Sequence, residues 1–207
     1  MVNLNKIELK KKGETINLQK SNTQSIGEVL VNLNWNQQGG KSNGFFSTLL
    51  GKTNHVDLDL GCLYELNTGE KGCVQALGNA FGSFKYAPYM ELDGDDRTGA
   101  VARGENLRIN GNKISDIKRV LVYSFIYEGV ANWAQADGVV TLKYSAGPDV
   151  EVKLNEHRNG KIMCAIAMIE NVNNETFKVQ RLVEYFNGHQ EMDCAYGWGM
   201  NWVAGSK

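Results

Sequence analysis

The sequence predicts an all-β protein, a β-sandwich of two mainly antiparallel sheets with long loops and at most short helices. Three observations predict it. Strand-like stretches recur at short intervals with turn residues between them. Helical periodicity is almost absent. Glycine is abundant at 23 residues and proline scarce at 2, which suits a compact β protein with many turns better than a disordered one. No composition shift, internal repeat or low-complexity stretch marks a boundary, so residues 1–207 are read as one domain.

Taken in order, Ile7 and Leu9 alternate with charged residues, Gly13 breaks the pattern, and Ile16 and Leu18 resume it. This is a β-hairpin or two short strands. Lys10-Lys11-Lys12 reads as a solvated edge. Val29, Val31, Leu33 and Trp35 alternate with Leu30, Asn32 and Asn34, a strand with one buried face. Gln37 to Gly51 is a loop, but Phe45, Phe46, Leu49 and Leu50 make it too apolar for an idle linker. They are expected to dock on the body or to mark a contact surface. From His55 to Cys62 the apolar residues face one way, and Asp57 and Asp59 share the other face.

Asn67-Thr68-Gly69 is a turn. Phe84 to Leu92 is read as a strand, and Leu107 and Ile109 as the strand that follows it, before a turn at Asn110-Gly111. Arg119 to Tyr127 is nearly continuously apolar, as in a central strand buried on both faces. Glu128 to Gly138 is a long loop or half-turn of helix. Val139 to Tyr144 and Val150 to Leu154 are strands joined across Gly147-Pro148. Asn159-Gly160 is a hairpin signal leading into an apolar strand from Lys161 to Ile169. Asn171 to Asn174 turns the chain into an alternating strand from Phe177 to Tyr185. His189 to Tyr196 is a short helix, followed by Gly197-Trp198-Gly199-Met200-Asn201-Trp202.

Composition excludes several function classes. The net charge of -1 argues against a dedicated nucleic-acid binder. No stretch is long and apolar enough to cross a membrane as a helix, and Met1 to Lys6 has no apolar signal core. A cytoplasmic location is expected, and structural disulfides are not. None of Cys62, Cys73, Cys164 and Cys194 forms a Cys-x-x-Cys pair, so zinc is weakly supported. Cys164 reads as a buried thiol. His55, His157 and His189 are scattered and turn-adjacent, which reads as surface or structural histidine.

The densest chemistry lies in Leu92-Asp93-Gly94-Asp95-Asp96-Arg97-Thr98-Gly99, with Glu91 just before it. Such a cluster repels itself unless a cation or ordered water sits between the oxygens. Glycines on both sides let the backbone turn carbonyls inward. Hard oxygen ligands without His or Cys favour calcium or magnesium, and calcium accepts irregular mixed ligand sets more readily. An EF-hand is excluded: counted from Asp93, position 5 is Arg97, position 6 is Thr98 and position 12 is Gly104. From the loop alone, a cation site and a solvated acidic turn both fit. Asp57 and Asp59 carry the same two readings, an exposed strand face or a second contribution to the cation site.

Together these stretches resemble the tellurite-resistance TerD-domain family, closest to its TerA-like branch. The resemblance rests on Val56-Asp57-Leu58-Asp59-Leu60-Gly61, on Gly94-Asp95-Asp96-Arg97-Thr98-Gly99 with Gly104-Glu105-Asn106, and on Tyr127-Glu128-Gly129 with Asn132-Trp133 and Asp137-Gly138. The ending Ala195-Tyr196-Gly197-Trp198-Gly199 with Trp202-Val203-Ala204-Gly205 also looks TerA-like. The resemblance covers most of the chain. It implies a calcium-binding β-sandwich tied to stress responses, a scaffold or sensing protein with no settled enzymatic activity. The calcium ligands it implies are Asp57, Asp59, Asp95, Asp96, Glu105 and Asn106. The implied partners are other tellurite-resistance or stress-complex proteins, including at the inner face of the membrane. One departure matters: where the family pattern continues with a dense acidic run, this chain has Ala100-Val101-Ala102-Arg103, which puts a second ion in doubt.

Two other classes compete. A calcium-dependent carbohydrate-binding sandwich would use Trp133, Trp198, Trp202 and Tyr196 as stacking platforms, against the alternative that these rings pack the core. An enzyme would use Glu128, Asp137 or His189 as acid or base. No Gly-rich phosphate loop, nucleophile elbow or His-Glu-x-x-His motif accompanies them, so a binding module is expected rather than a catalyst.

Overall fold

The computed structural model describes residues 6–20, 25–35, 56–93, 104–128, 133–154 and 160–203. Among these residues thirteen strands form two sheets. In chain order they are β1 (Lys6–Glu8), β2 (Thr15–Asn17), β3 (Glu28–Asn34), β4 (Asp57–Leu66), β5 (Lys71–Gln75), β6 (Gly82–Ser83) and β7 (Met90–Leu92). They continue as β8 (Glu105–Asn110), β9 (Ile117–Glu128), β10 (Gly138–Tyr144), β11 (Asp149–Leu154), β12 (Met163–Val172) and β13 (Thr176–Phe186). The helices are α1 (Trp133–Ala136) and α2 (His189–Tyr196), with 3-10 turns at Leu77–Asn79 and Gly111–Asp116. One sheet has the order β1-β11-β10-β3-β8-β7-β6, the other β2-β13-β12-β9-β4-β5. Every pairing is antiparallel except β1 with β11, as expected of a sandwich.

Strict alternation builds the facing surfaces. Val29, Val31 and Leu33 of β3 and Leu107 and Ile109 of β8 are buried toward Leu58, Leu60 and Cys62 of β4 and Val120 and Val122 of β9. A smaller cluster lies on the outer face of the second sheet. There Leu63, Leu121, Tyr123, Phe125 and Met163 are covered by Met192 of α2 and by Trp198, with Trp202 packed alongside. This second layer makes β9 a strand buried on both faces.

Several elements differ from the sequence expectation. β1 and β2 are not a hairpin: they join different sheets, because the turn after Glu8 carries the chain across the sandwich edge. The stretch from Phe84 to Leu92 is extended only at β7; Phe84 to Tyr89 is a turn containing a cis Ala87–Pro88 bond. β11 and β12 also lie in different sheets, so Asn159-Gly160 does not close a hairpin. Asn159 and most of that connection lie outside the described residues, as do residues 36–55 with the apolar loop. The true hairpin between β12 and β13 turns at Asn173 and Asn174, both in the left-handed region that Asn tolerates.

Candidate functional site

The site is built first from β4. Because Leu58 and Leu60 enter the sandwich interior, the pleat sends Asp57, Asp59 and Gly61 to the outer face. That face is not open: Asp59 is only 1% exposed, and Asp57 is half-buried. Asp59 stands opposite Phe125, and Asp57 opposite Glu128. The exposed-face reading of Asp59 is thereby removed. β5 pairs with β4 only from Gly61 onward, so Asp57 to Leu60 run past its end.

Glu105 closes this gap from the other sheet. It opens β8 on the inward-facing side, and its Oε2 accepts a hydrogen bond from the Leu60 N–H at 2.5 Å. A main-chain N–H holds the carboxylate beside the residue next to Asp59. Asn106, one residue on, faces the opposite way. Its Oδ1 accepts from Asn32 Nδ2 at 2.8 Å across the β3–β8 pairing, and its main-chain oxygen accepts from the Asp93 N–H at 2.9 Å. The structure therefore brings Glu105 to β4 and turns the Asn106 carboxamide away from it.

The segment 94–103, with Asp95 and Asp96, lies outside the described residues. Its two ends are fastened together: Leu92 pairs with Leu107, and Asp93 bonds to Asn106. Gly104 fixes the return. Its φ is +69°, and a Cβ there would meet the Leu33 carbonyl oxygen at 2.0 Å, so only glycine fits. Among the described residues no group of three or more His, Cys, Asp and Glu side chains is gathered closely enough to hold a metal ion.

A second polar cluster was missed by sequence reasoning. Gly61 has no side chain, and the Tyr123 ring lies over it; a Cβ at Gly61 would sit 2.8 Å from that ring. The phenol thereby crosses β4 and donates to Gln75 Oε1 of β5 at 2.6 Å. His189 Nε2 lies 2.9 Å from the same oxygen. Burial, together with the nearby Cys73, Cys62 and Asp59, pushes the Tyr123 phenol well above its ordinary range. Burial also pushes His189 down to about 4, so the imidazole is neutral at physiological pH. His189 contacts the rings of Tyr123 and Phe125, each at 5.5 Å, and Trp202 at 4.7 Å. His189 and Trp202, with Asn187, Gly188, Gln190, Glu191 and Val203, line an open cavity of about 550 Å³. The glycine after Leu60, facing a tyrosine in an apolar strand, was the available signal.

The segment after α2 is strapped down by Asp193. This buried carboxylate accepts from the N–H groups of Gly199 at 2.6 Å and Met200 at 2.9 Å, and from Trp202 Nε1 at 2.9 Å. Trp198 is buried under the Arg119 guanidinium, 3.9 Å from its ring centre, and donates to the Tyr64 carbonyl. Trp133 is fully buried and donates to the Lys161 carbonyl. The Tyr196 hydroxyl donates to Glu184. Two of the supposed sugar platforms are therefore core residues. Of the acid–base candidates, Asp137 is exposed and His189 is packed among aromatic rings. His55 and His157 lie outside the described residues. None of the described cysteines is in a disulfide, and Cys164 is buried as expected. No helix among the described residues is long and apolar enough to span a membrane.

Solved structures share this architecture. SAV2460, a protein of unknown function, superposes with a TM-score of 0.58 over 82% of this chain and 95% of its own, at 12% identity. A homologue of telluride resistance protein TerD from Streptomyces coelicolor A3(2) gives 0.55 over 81% and 95%, at 15% identity. The fold is thus that of a TerD-like β-sandwich. No protein-family model matches the sequence. A curated relative, tellurium resistance protein TerA from an Alcaligenes species, is 45% identical over 206 residues, 100% of this chain. The chain belongs to the tellurite-resistance family, in its TerA-like branch, and spans 60% of that relative's length.

Proposed function

We propose that the chain is a calcium-binding module of a tellurite-resistance system that works by binding partners rather than by catalysis. Asp57, Asp59, Glu105, Asp95 and Asp96 supply the oxygen ligands in this reading, and Asn106 contributes by tying Asp93 to β8. The observation that carries it is the meeting of β4 and β8. The Glu105 carboxylate is held against the backbone beside the nearly buried Asp59, where both ends of the acidic segment are fastened. Carboxylates brought together and partly removed from water are costly unless a cation or donors compensate them. An all-oxygen set with no His or Cys suits calcium better than magnesium, which demands a small octahedral cage. The partners in this reading are other tellurite-resistance or stress-response proteins on the cytoplasmic side of the membrane.

The test is calcium titration by calorimetry on metal-stripped protein, in competition with magnesium. Wild type is expected to prefer calcium. Two double variants, Asp57→Asn with Asp59→Asn and Asp95→Asn with Asp96→Asn, are each expected to abolish tight binding. Bound calcium at a hundredfold excess over Kd adds about 2.7 kcal/mol, enough to raise the melting temperature by roughly 5–10 °C. If the strand variant keeps its affinity within a few-fold, β4 does not share the ion. If wild type takes up no calcium, the acidic segment is an ordinary turn.

A further inference from the structure

We propose that the cavity between Trp202 and the start of α2 binds a neutral saccharide of one or two rings through its own side chains, without a bridging ion. This goes beyond the calcium reading and does not depend on it. The cavity is open to solvent and holds about 550 Å³, a size within the usual range for small-molecule sites. Of the four rings the sequence offers as sugar platforms, Trp133 and Trp198 are buried and Tyr196 donates its hydroxyl to Glu184, whereas Trp202 stands on this cavity.

Three features of the wall define the ligand. The first is the Trp202 indole. Its Nε1 is tied to Asp193 at 2.9 Å, so the ring is fixed in place while only half-buried. The His189 ring lies 4.7 Å away, centre to centre, at 41°. Rings at that angle leave no parallel slot for a flat heterocycle, but they present an angled apolar surface to the C–H face of a sugar. The second is an unfilled acceptor. Gln75 Oε1 takes the Tyr123 hydroxyl proton and lies 2.9 Å from His189 Nε2. An amide oxygen only accepts, so Nε2 carries the imidazole proton. Nδ1 is left as a bare acceptor with no partner among the described residues. Burial holds the ring at about 4, so Nδ1 stays bare at physiological pH. The two ring nitrogens point to opposite sides of the imidazole. Fixing Nε2 against β5 therefore turns Nδ1 away from the sheet, toward the cavity that His189 lines. An unmatched acceptor beside an apolar wall selects a ligand with a hydroxyl to donate. The third feature is charge. The Glu191 carboxylate on the wall is already engaged by the Asn187 N–H at 2.5 Å and by Lys161 Nζ at 3.4 Å. Among the lining residues that pairing leaves no unmatched charge for an ionic ligand, while the exposed Gln190 carboxamide offers both donors and an acceptor to sugar hydroxyls.

The test uses the full chain in excess chelator, with glucose, galactose, N-acetylglucosamine, maltose, cellobiose and lactose as probes, and adenine and glucose 6-phosphate beside them. The Trp202 indole N–H and the His189 Nδ1 nitrogen signals are followed by NMR up to about 50 mM ligand. At least one neutral sugar is expected to shift both signals saturably, with a Kd of about 1–10 mM, as a small open site allows. Trp202→Ala should weaken that binding about tenfold or more. Gln190→Ala, an exposed change that leaves the core alone, should weaken it roughly threefold and guards against poor folding of the tryptophan variant. No shift with any neutral sugar, or binding that both variants leave unchanged, overturns the site. Tighter binding of adenine or glucose 6-phosphate than of every neutral sugar overturns the ligand class. Sugar binding that appears only when calcium replaces the chelator overturns the ion-free mode.

Discussion

Replacing Asp193 by alanine tests whether the C-terminal strap is held by one carboxylate. Asp193 is buried near the C-terminal end of α2, where a negative charge opposes the helix dipole, so its place must be secured by other bonds. It accepts three, from Gly199 N–H, Met200 N–H and Trp202 Nε1–H. A hydrogen bond to a charged group contributes about 1.5–3 kcal/mol, so simple addition gives about 5–9 kcal/mol. The true loss is smaller. Gly199 is exposed and Met200 only half-buried, so their amides regain water once released. About 2–4 kcal/mol is expected, which for a domain of this size lowers the melting temperature by roughly 5–15 °C. Asp193→Asn keeps one acceptor oxygen and turns an amide donor toward another donor, so it should fall between wild type and Asp193→Ala. The assay is a thermal melt of the three proteins with hydrogen exchange at the Gly199 and Met200 amides. Protection at both amides should be lost in the alanine variant before the β9 core opens. A melting temperature within about 1 °C of wild type, or unchanged protection, refutes the strap.

Two further perturbations follow from the same geometry. Gly104→Ala places a Cβ 2.0 Å from the Leu33 carbonyl oxygen at a φ of +69°. Because the obstacle is backbone, about 3 kcal/mol or more of stability should be lost, read as a lower urea midpoint with unchanged slope; an unmoved midpoint would show that β8 does not begin where it is placed. The His189 imidazole, held down at about 4 by burial, stays neutral in the folded state from pH 6.5 to about 5, whereas the unfolded chain takes up a proton there. Stability contributed by this group is therefore present above pH 6.5 and lost as pH falls, at about 1.4 kcal/mol per pH unit. Between pH 6.5 and 5 wild type should lose about 2 kcal/mol more than His189→Gln in denaturant melts; equal losses would mean that the imidazole is not buried.

Most strands were legible because alternation survives wherever one face is buried. β3 and β13 could be read directly, and the long apolar run of β9 correctly announced burial on both faces. What alternation leaves open is the sheet to which a strand belongs. Asn159-Gly160 has the chemistry of a tight hairpin, yet the strands on either side of it sit in opposite sheets. The pleat says that Asp59 points away from Leu58 and Leu60, but not that α2 and the Trp198–Trp202 segment cover that side. That cover turns an apparently exposed aspartate into a nearly buried one.

The same pleat rule divides the candidate ligands. Applied to β4 it puts Asp57 and Asp59 together, and applied to β8 it must put Glu105 and Asn106 apart, which the Leu60 and Asn32 bonds bear out. Asp59 faces outward from one sheet, while Glu105 faces inward from the other. An ion shared by both cannot sit above either face. The two side chains approach each other only at the sandwich edge, where β4 continues beyond the end of β5 and the longer glutamate side chain reaches the Leu60 backbone. That edge is also where the chain leaves Asp93 and returns at Gly104, held there by the Asp93–Asn106 bond and by the contact that forbids any side chain at residue 104.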